Sequence, residues 1–203
     1  MTPLVAALHK KYFQVAELLR RHGADIDVRG YNERTPLHTP CAFGHLDTVY
    51  WLLDHGADVN AQADGRWTPL HMAANNGRPD MAQVLLEHGA DIHARGCLGE
   101  LPLHLASCPF VQLSHTDIMQ LLFNHGADPN VRDNNGSTPL HFSSWCKGDH
   151  KTGQGTVEGT RLLLKHGAII DAEDNEGRTP LQLALEHECD DIATCLKEHG
   201  ATR

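Results

Sequence analysis

The chain has 203 residues, 40% apolar and 21% charged, the balance of a folded soluble protein. Its formal charge is −9, from 17 basic and 26 acidic side chains, which argues against a phosphate-binding surface because nucleic-acid recognition rests on clustered Lys and Arg. No apolar run approaches the ~20 residues that cross a bilayer, and the six cysteines contain no C-x-x-C pair, so they are expected to be reduced thiols in a cytoplasmic or nuclear protein.

The predicted elements recur. Thr2-Pro3-Leu4-Val5 is followed by Thr35-Pro36-Leu37-His38, Thr68-Pro69-Leu70-His71, Leu101-Pro102-Leu103-His104, Thr138-Pro139-Leu140-His141 and Thr179-Pro180-Leu181-Gln182, at steps of 33, 33, 33, 37 and 41 residues. A second word, His-Gly-Ala, starts at His22, His55, His88, His125, His166 and His199, and wherever another motif follows it begins 13 residues on. A fixed period in this range is the mark of a solenoid. One domain over 1–203 is expected, with repeats at about 2–34, 35–67, 68–100, 101–137, 138–178 and 179–203.

Each repeat is locally legible. The Thr suits an N-cap, where its hydroxyl accepts a free first-turn amide, and the Pro suits the first helical position. Leu37 and the small residues after it form the buried face of a short first helix. Gly44 and Gly77 are placed to end such a helix in the left-handed conformation. A second helix carries apolar residues at helical spacing, Val49, Leu52 and Leu53, then Met81, Val84 and Leu85. The Gly of the second word stops it, and an extended finger leads to the next repeat.

These words, TPLH-x-A, a helix ending in LL before HGAD, and the trailing Asn60-Ala61, resemble the ankyrin repeat, in six copies from Thr2 to Ala201. The resemblance implies an all-α solenoid of helix-turn-helix units joined by β-hairpin-like fingers. It also implies a protein-recognition role without catalysis, with the partner held on a concave side.

Several repeats depart from the pattern. The first is built on Val15, Leu18 and Leu19, but it lacks the motif His and has little polar covering, as if residues before it had been removed or this end met a partner. A leader peptide is not expected, since Pro3 to Leu8 has no basic residues before it and contains a repeat word. In the second repeat Pro40 falls inside the first helix and predicts a kink or a shortening. In the fourth, Leu101 replaces the capping Thr. The fourth and fifth repeats carry four and eight extra residues between their helices, within 108–115 and 146–155. The first insert is apolar (Phe110, Val111, Leu113), a local mini-core or a docking patch. The second is Gly-rich and polar, the pattern of a surface loop. Lys197 and the acidic Glu186, Glu188, Asp190 and Asp191 mark the last repeat as a cap.

The sixteen histidines invite a metal reading. Ten of them occupy two equivalent positions per repeat. Stacked helices lie ~8–10 Å apart, too far for such side chains to share a zinc held at ~2.0–2.1 Å, so no metal or cofactor is expected. The resemblance implies that the motif His ties one repeat to the next. The rival reading is an enzyme whose site lies at the inserts, with Cys146 as nucleophile and His150 or Asp149 beside it.

The resemblance further implies that finger tips and exposed first-helix residues meet the partner. On the fingers these are Arg29, Tyr31, Glu33 and Arg34; Asp64, Arg66 and Trp67; Leu98 and Glu100; Asn134, Asn135 and Ser137; and Asn175, Glu176 and Arg178. On the helices they are Phe43, Asn75, Asn76 and Trp145. Tyr, Trp and Arg are the commonest hot-spot residues, so Tyr31, Arg66, Trp67, Phe43 and Trp145 are the expected anchors on a monomer. Arg66 stands where a finger Gly is usual, which leaves the facing of Trp67 open between partner and own finger. The family also implies Asn60 and Asn130, each eight residues after a Leu, as possible targets of asparaginyl hydroxylation.

Overall fold

A Thr-Pro-Leu word opens a helix because the Pro presets its backbone angle where no amide is needed. A His-Gly word closes one because only Gly enters the left-handed region freely. The computed structural model describes residues 2–108, 115–145 and 154–202. Among them are six successive helix pairs: α1 (Pro3–His9) with α2 (Phe13–Arg21), α3 (His38–Phe43) with α4 (Leu46–Asp54), and α5 (Pro69–Asn75) with α6 (Pro79–Glu87). They continue as α7 (Pro102–Ala106) with α8 (His115–Asn124), α9 (Pro139–Ser143) with α10 (Gln154–Lys165), and α11 (Pro180–Glu186) with α12 (Asp190–Glu198).

The core is a set of columns rather than a centre. The six motif leucines, Leu4, Leu37, Leu70, Leu103, Leu140 and Leu181, are all buried, and so are Leu52, Leu85, Leu122, Leu163 and Leu196 of the second helices. Each contributes roughly 1.5–3 kcal/mol by leaving water, and the burial comes from the neighbouring repeat, so no pair is stable alone. In the first repeat the expected stripe is displaced. Ala16 is fully buried while Val15 and Leu18 are exposed, because the positions equivalent to Val49 and Leu52 are Ala16 and Leu19.

Pro40 shortens α3 as expected. The helix starts at His38, two residues later than the motif places it. Pro40 thereby falls in the first turn, where a missing amide costs nothing. Thr35 is consequently not the capping residue; Leu37 is. Gly44, at φ 79°, ends the helix.

The fingers are hairpin-shaped but contain no strand among the described residues. Each is closed at its base by a backbone bond, Gly30 to Arg34, Ala63 to Trp67, Gly96 to Glu100, Asp133 to Ser137 and Asp174 to Arg178, with a second, shorter-range bond inside the turn. One further bond per step joins the later tips, from Cys97, Asn134 and Asn175 to the carbonyls of Gly65, Leu98 and Asn135. A single bond per step is too few for a ladder. None of the five described cysteines forms a disulfide.

Candidate functional site

The motif histidines fix the fingers, and the fingers carry the candidate site. His38, His71, His104 and His141 are essentially fully buried. In each, Nδ1 lies 3.1–3.2 Å from the backbone N–H of the residue three before it. Nε2 lies 3.0–3.3 Å from the carbonyl of Trp67, Glu100, Ser137 or Arg178 in the finger ahead. An amide donates and a carbonyl accepts, so every ring is neutral with its proton on Nε2. Burial pushes all four below the usual histidine range, His104 to about 4.

The hydroxyls of Thr35, Thr68 and Thr138 lie 2.9 Å from the same Nδ1 atoms. Those nitrogens are acceptors, so the hydroxyls donate to them, while Thr68 and Thr138 remain the capping residues of their helices, each in a capping box with its His. Where the imidazole is missing the hydroxyl accepts the first-turn amide directly: Thr2 accepts from Val5 and Thr179 from Gln182. At Leu101 the amide-to-imidazole half survives without a hydroxyl.

The histidines of the second word do the opposite. Nδ1 of His22, His55, His88, His125 and His199 lies 2.6–2.9 Å from the carbonyl four residues back, so here Nδ1 carries the proton and covers a helix C-terminus. Among the described residues no three His, Cys, Asp or Glu side chains gather as a metal site requires.

The residue before each of the last five motifs forms a column: Arg34, Trp67, Glu100, Ser137 and Arg178. Trp67 is half-buried, and its Nε1–H donates to Oε1 of the buried Glu100, whose Oε2 takes the amide of Leu98 at 3.0 Å. A Cβ on Gly96 would stand 2.2 Å from that carboxylate, so glycine there makes room for Glu100. Trp67 thus has a partner within the stack. Arg178 is held by Asp174 at 2.8 Å and Glu176 at 3.1 Å. Arg34 differs: its Nε is buried with no hydrogen-bond partner.

Arg66 resolves the missing finger glycine by taking φ 59° itself, next to Gly65 at 74°. Asn32 and Glu33 do the same at 56° and 53°. The first two fingers therefore turn on two left-handed residues, whereas later ones use a single glycine such as Gly99 or Gly136.

The remaining expected residues divide into exposed and engaged. Tyr31 is 88% exposed, Phe43 62%, Leu98 61% and Trp145 41%. Trp145 lies against His187, with ring centroids 5.7 Å apart. Asn134 and Asn135 are exposed on their tip, and Nδ2 of Asn134 donates to the Cys97 carbonyl. Asn75 and Asn76 are half-buried at the end of α5, and Asn76 donates to the Met72 carbonyl. Asn60 bridges to Gly89 and Asp91, and Asn130 to Gly167 and Ile169, so both amides link neighbouring repeats. Cys146, Asp149 and His150 of the rival enzyme reading lie outside the described residues, as do Phe110, Val111 and Leu113.

A cleft of about 510 Å³ opens between the first two repeats, bounded by α1, α3 and the first finger. Tyr31 and Phe43 line it with Val5, Leu8, Pro36 and Pro40. The last four were not anticipated as site residues. Pro40, read from the sequence only as a local kink or shortening, is itself one of them.

A family model described as ankyrin repeats (3 copies) matches residues 1–63, 61–133 and 103–202. No curated protein matches the chain.

Proposed function

The chain belongs to the ankyrin repeat family, and on that premise we propose that it is a non-enzymatic recognition module that holds a protein partner along its finger tips and first helices. Ankyrin repeats generally mediate protein–protein contacts. The observation that carries the reading here is that four of the ten large apolar side chains exposed among the described residues lie on the expected partner side: Tyr31 and Leu98 on finger tips, Phe43 and Trp145 at first-helix ends. Aromatic anchors in such positions supply most of the energy of a typical interface. The module acts as a monomer in the cytoplasm or nucleus. Its partner is not nucleic acid, given a formal charge of −9.

Affinity capture from a native lysate tests this. A variant with Tyr31, Phe43, Leu98 and Trp145 all replaced by Ala is expected to lose the captured partner while keeping its melting temperature. Capture of the same proteins by variant and wild type would remove the reading.

A further inference from the structure

Resting on that recognition reading, we propose that the cleft between the first two repeats is where the partner is chiefly held, and that it takes an extended acidic segment with a carboxylate next to an apolar side chain. Pro40, which stands in the late-starting first turn of α3, is part of its wall. Its volume, about 510 Å³, suits a few side chains or a small ligand rather than a domain.

The charge of its lining runs against that of the chain. The lining includes Lys11, Arg29 and Arg34 and no Asp or Glu, although acidic residues outnumber basic ones 26 to 17 overall. Two of these cations are already satisfied. Lys11 reaches Asp47 at 2.9 Å, and Arg29 donates to the carbonyls of Glu33 and Gln62.

Arg34 is not. Its buried Nε is one of two buried side-chain polar atoms without a partner among the described residues. Unpaired buried donors are uncommon, and because the Arg34 side chain lines the cleft, its missing acceptor is assigned to an occupant that engages the guanidinium as the side chain shifts. The column around Arg34 indicates the missing group. Its equivalents Trp67 and Arg178 both donate to carboxylates, those of Glu100 and Asp174. A carboxylate also matches the planar fork of a guanidinium, which a lone carbonyl does not. A polyanion such as a nucleic acid would meet the repulsion of the whole chain, whereas a short acidic segment meets only this lining.

The test uses fluorescein-labelled ten-residue peptides alternating Leu or Phe with Asp or Glu, and matched peptides with Asn or Gln, read by anisotropy against the full chain. The acidic peptides are expected to bind at least about tenfold more tightly. Arg34→Gln is expected to remove that preference, and Arg34→Lys to restore part of it. The Arg34 Nε–H resonance is expected to move on titration with the acidic peptide. Equal binding of both peptide sets, or an unmoved Arg34 resonance, overturns the proposal. So does displacement of the peptide by an equal concentration of N-acetylglutamate, which would give the cleft to small acids, or self-association abolished by Arg34→Gln, which would give it to a second copy. Lysate capture separates the two readings. Capture kept by Arg34→Gln but lost by the four-alanine variant sinks only the cleft; capture kept by both sinks recognition itself.

Discussion

The first two repeats and the third are built from nearly the same words and end up with different surfaces. In the third repeat α5 is a full seven residues and opens at Pro69. Its finger turns on Gly99, and its column residue Glu100 is buried and bonded to Trp67. In the first two repeats α3 starts late, both finger tips force side-chain-bearing residues into left-handed backbone, and the column residue Arg34 has no partner for its buried Nε. Regularity closes a repeat against its neighbours. Each local exception leaves something open, and two of them, Pro40 in the late-starting α3 and the unpaired Arg34, line the same cleft.

The largest expected effect tests the regular part. Burial above all holds His104 at about 4, against an ordinary 6.5, while its bond to Ser137 pulls the other way. As pH falls from 6.5 the unfolded chain takes up this proton before the folded chain does. The stabilisation present above pH 6.5 is therefore lost progressively down to about pH 4. For His104 alone this amounts to about 3 kcal/mol, and His38, His71 and His141 shift in the same direction. Urea melts at pH 7 and pH 4.5 measure it. An unchanged midpoint would show that the buried rings do not hold the stack.

Trp67→Phe sharpens the comparison at an intermediate scale. It keeps most of the ring and removes the donor to buried Glu100, so a loss of about 2 kcal/mol is expected from the stranded carboxylate oxygen. The same change at Trp145, which is 41% exposed, is expected to stay within about 0.5 kcal/mol. Equal losses in urea melts would mean that the two tryptophans are not in different situations.

The smallest effect has the opposite sign. Glu33→Gly and Arg66→Gly each relieve a non-glycine residue held at positive φ, for a gain of about 0.5–1 kcal/mol after the added freedom of the unfolded chain is counted. A loss in thermal melts would show that these tips depend on their side chains.

Much of this was legible residue by residue. The Pro of each motif, the Gly of His-Gly-Ala and the spacing of Val49 with Leu52 each carry their reason within a few neighbours. The shortening of α3 also followed from Pro40 alone, since a missing amide needs no tertiary context to matter. One reading failed and two stayed incomplete for a common cause. Val15 and Leu18 have correct helical spacing, but the neighbour lies on the side of Ala16. Thr68 caps its helix as read, but its hydroxyl also turns to His71, whose other nitrogen serves a carbonyl 29 residues on. Trp67 could not be assigned from its own finger, because its acceptor is 33 residues away.

The sequence by itself determined that there are helical pairs at a fixed period, where they begin and end, and that identical histidines recur in register. It did so because these depend on backbone angles and on amides within one turn. Only the tertiary structure decided which aromatic side chains stay exposed, that Glu100 has a donor while Arg34 lacks an acceptor, and that a cleft opens beside Pro40. Those outcomes depend on which side chain of the next repeat arrives at hydrogen-bonding distance, and a one-repeat period says when the neighbour comes but not what it brings.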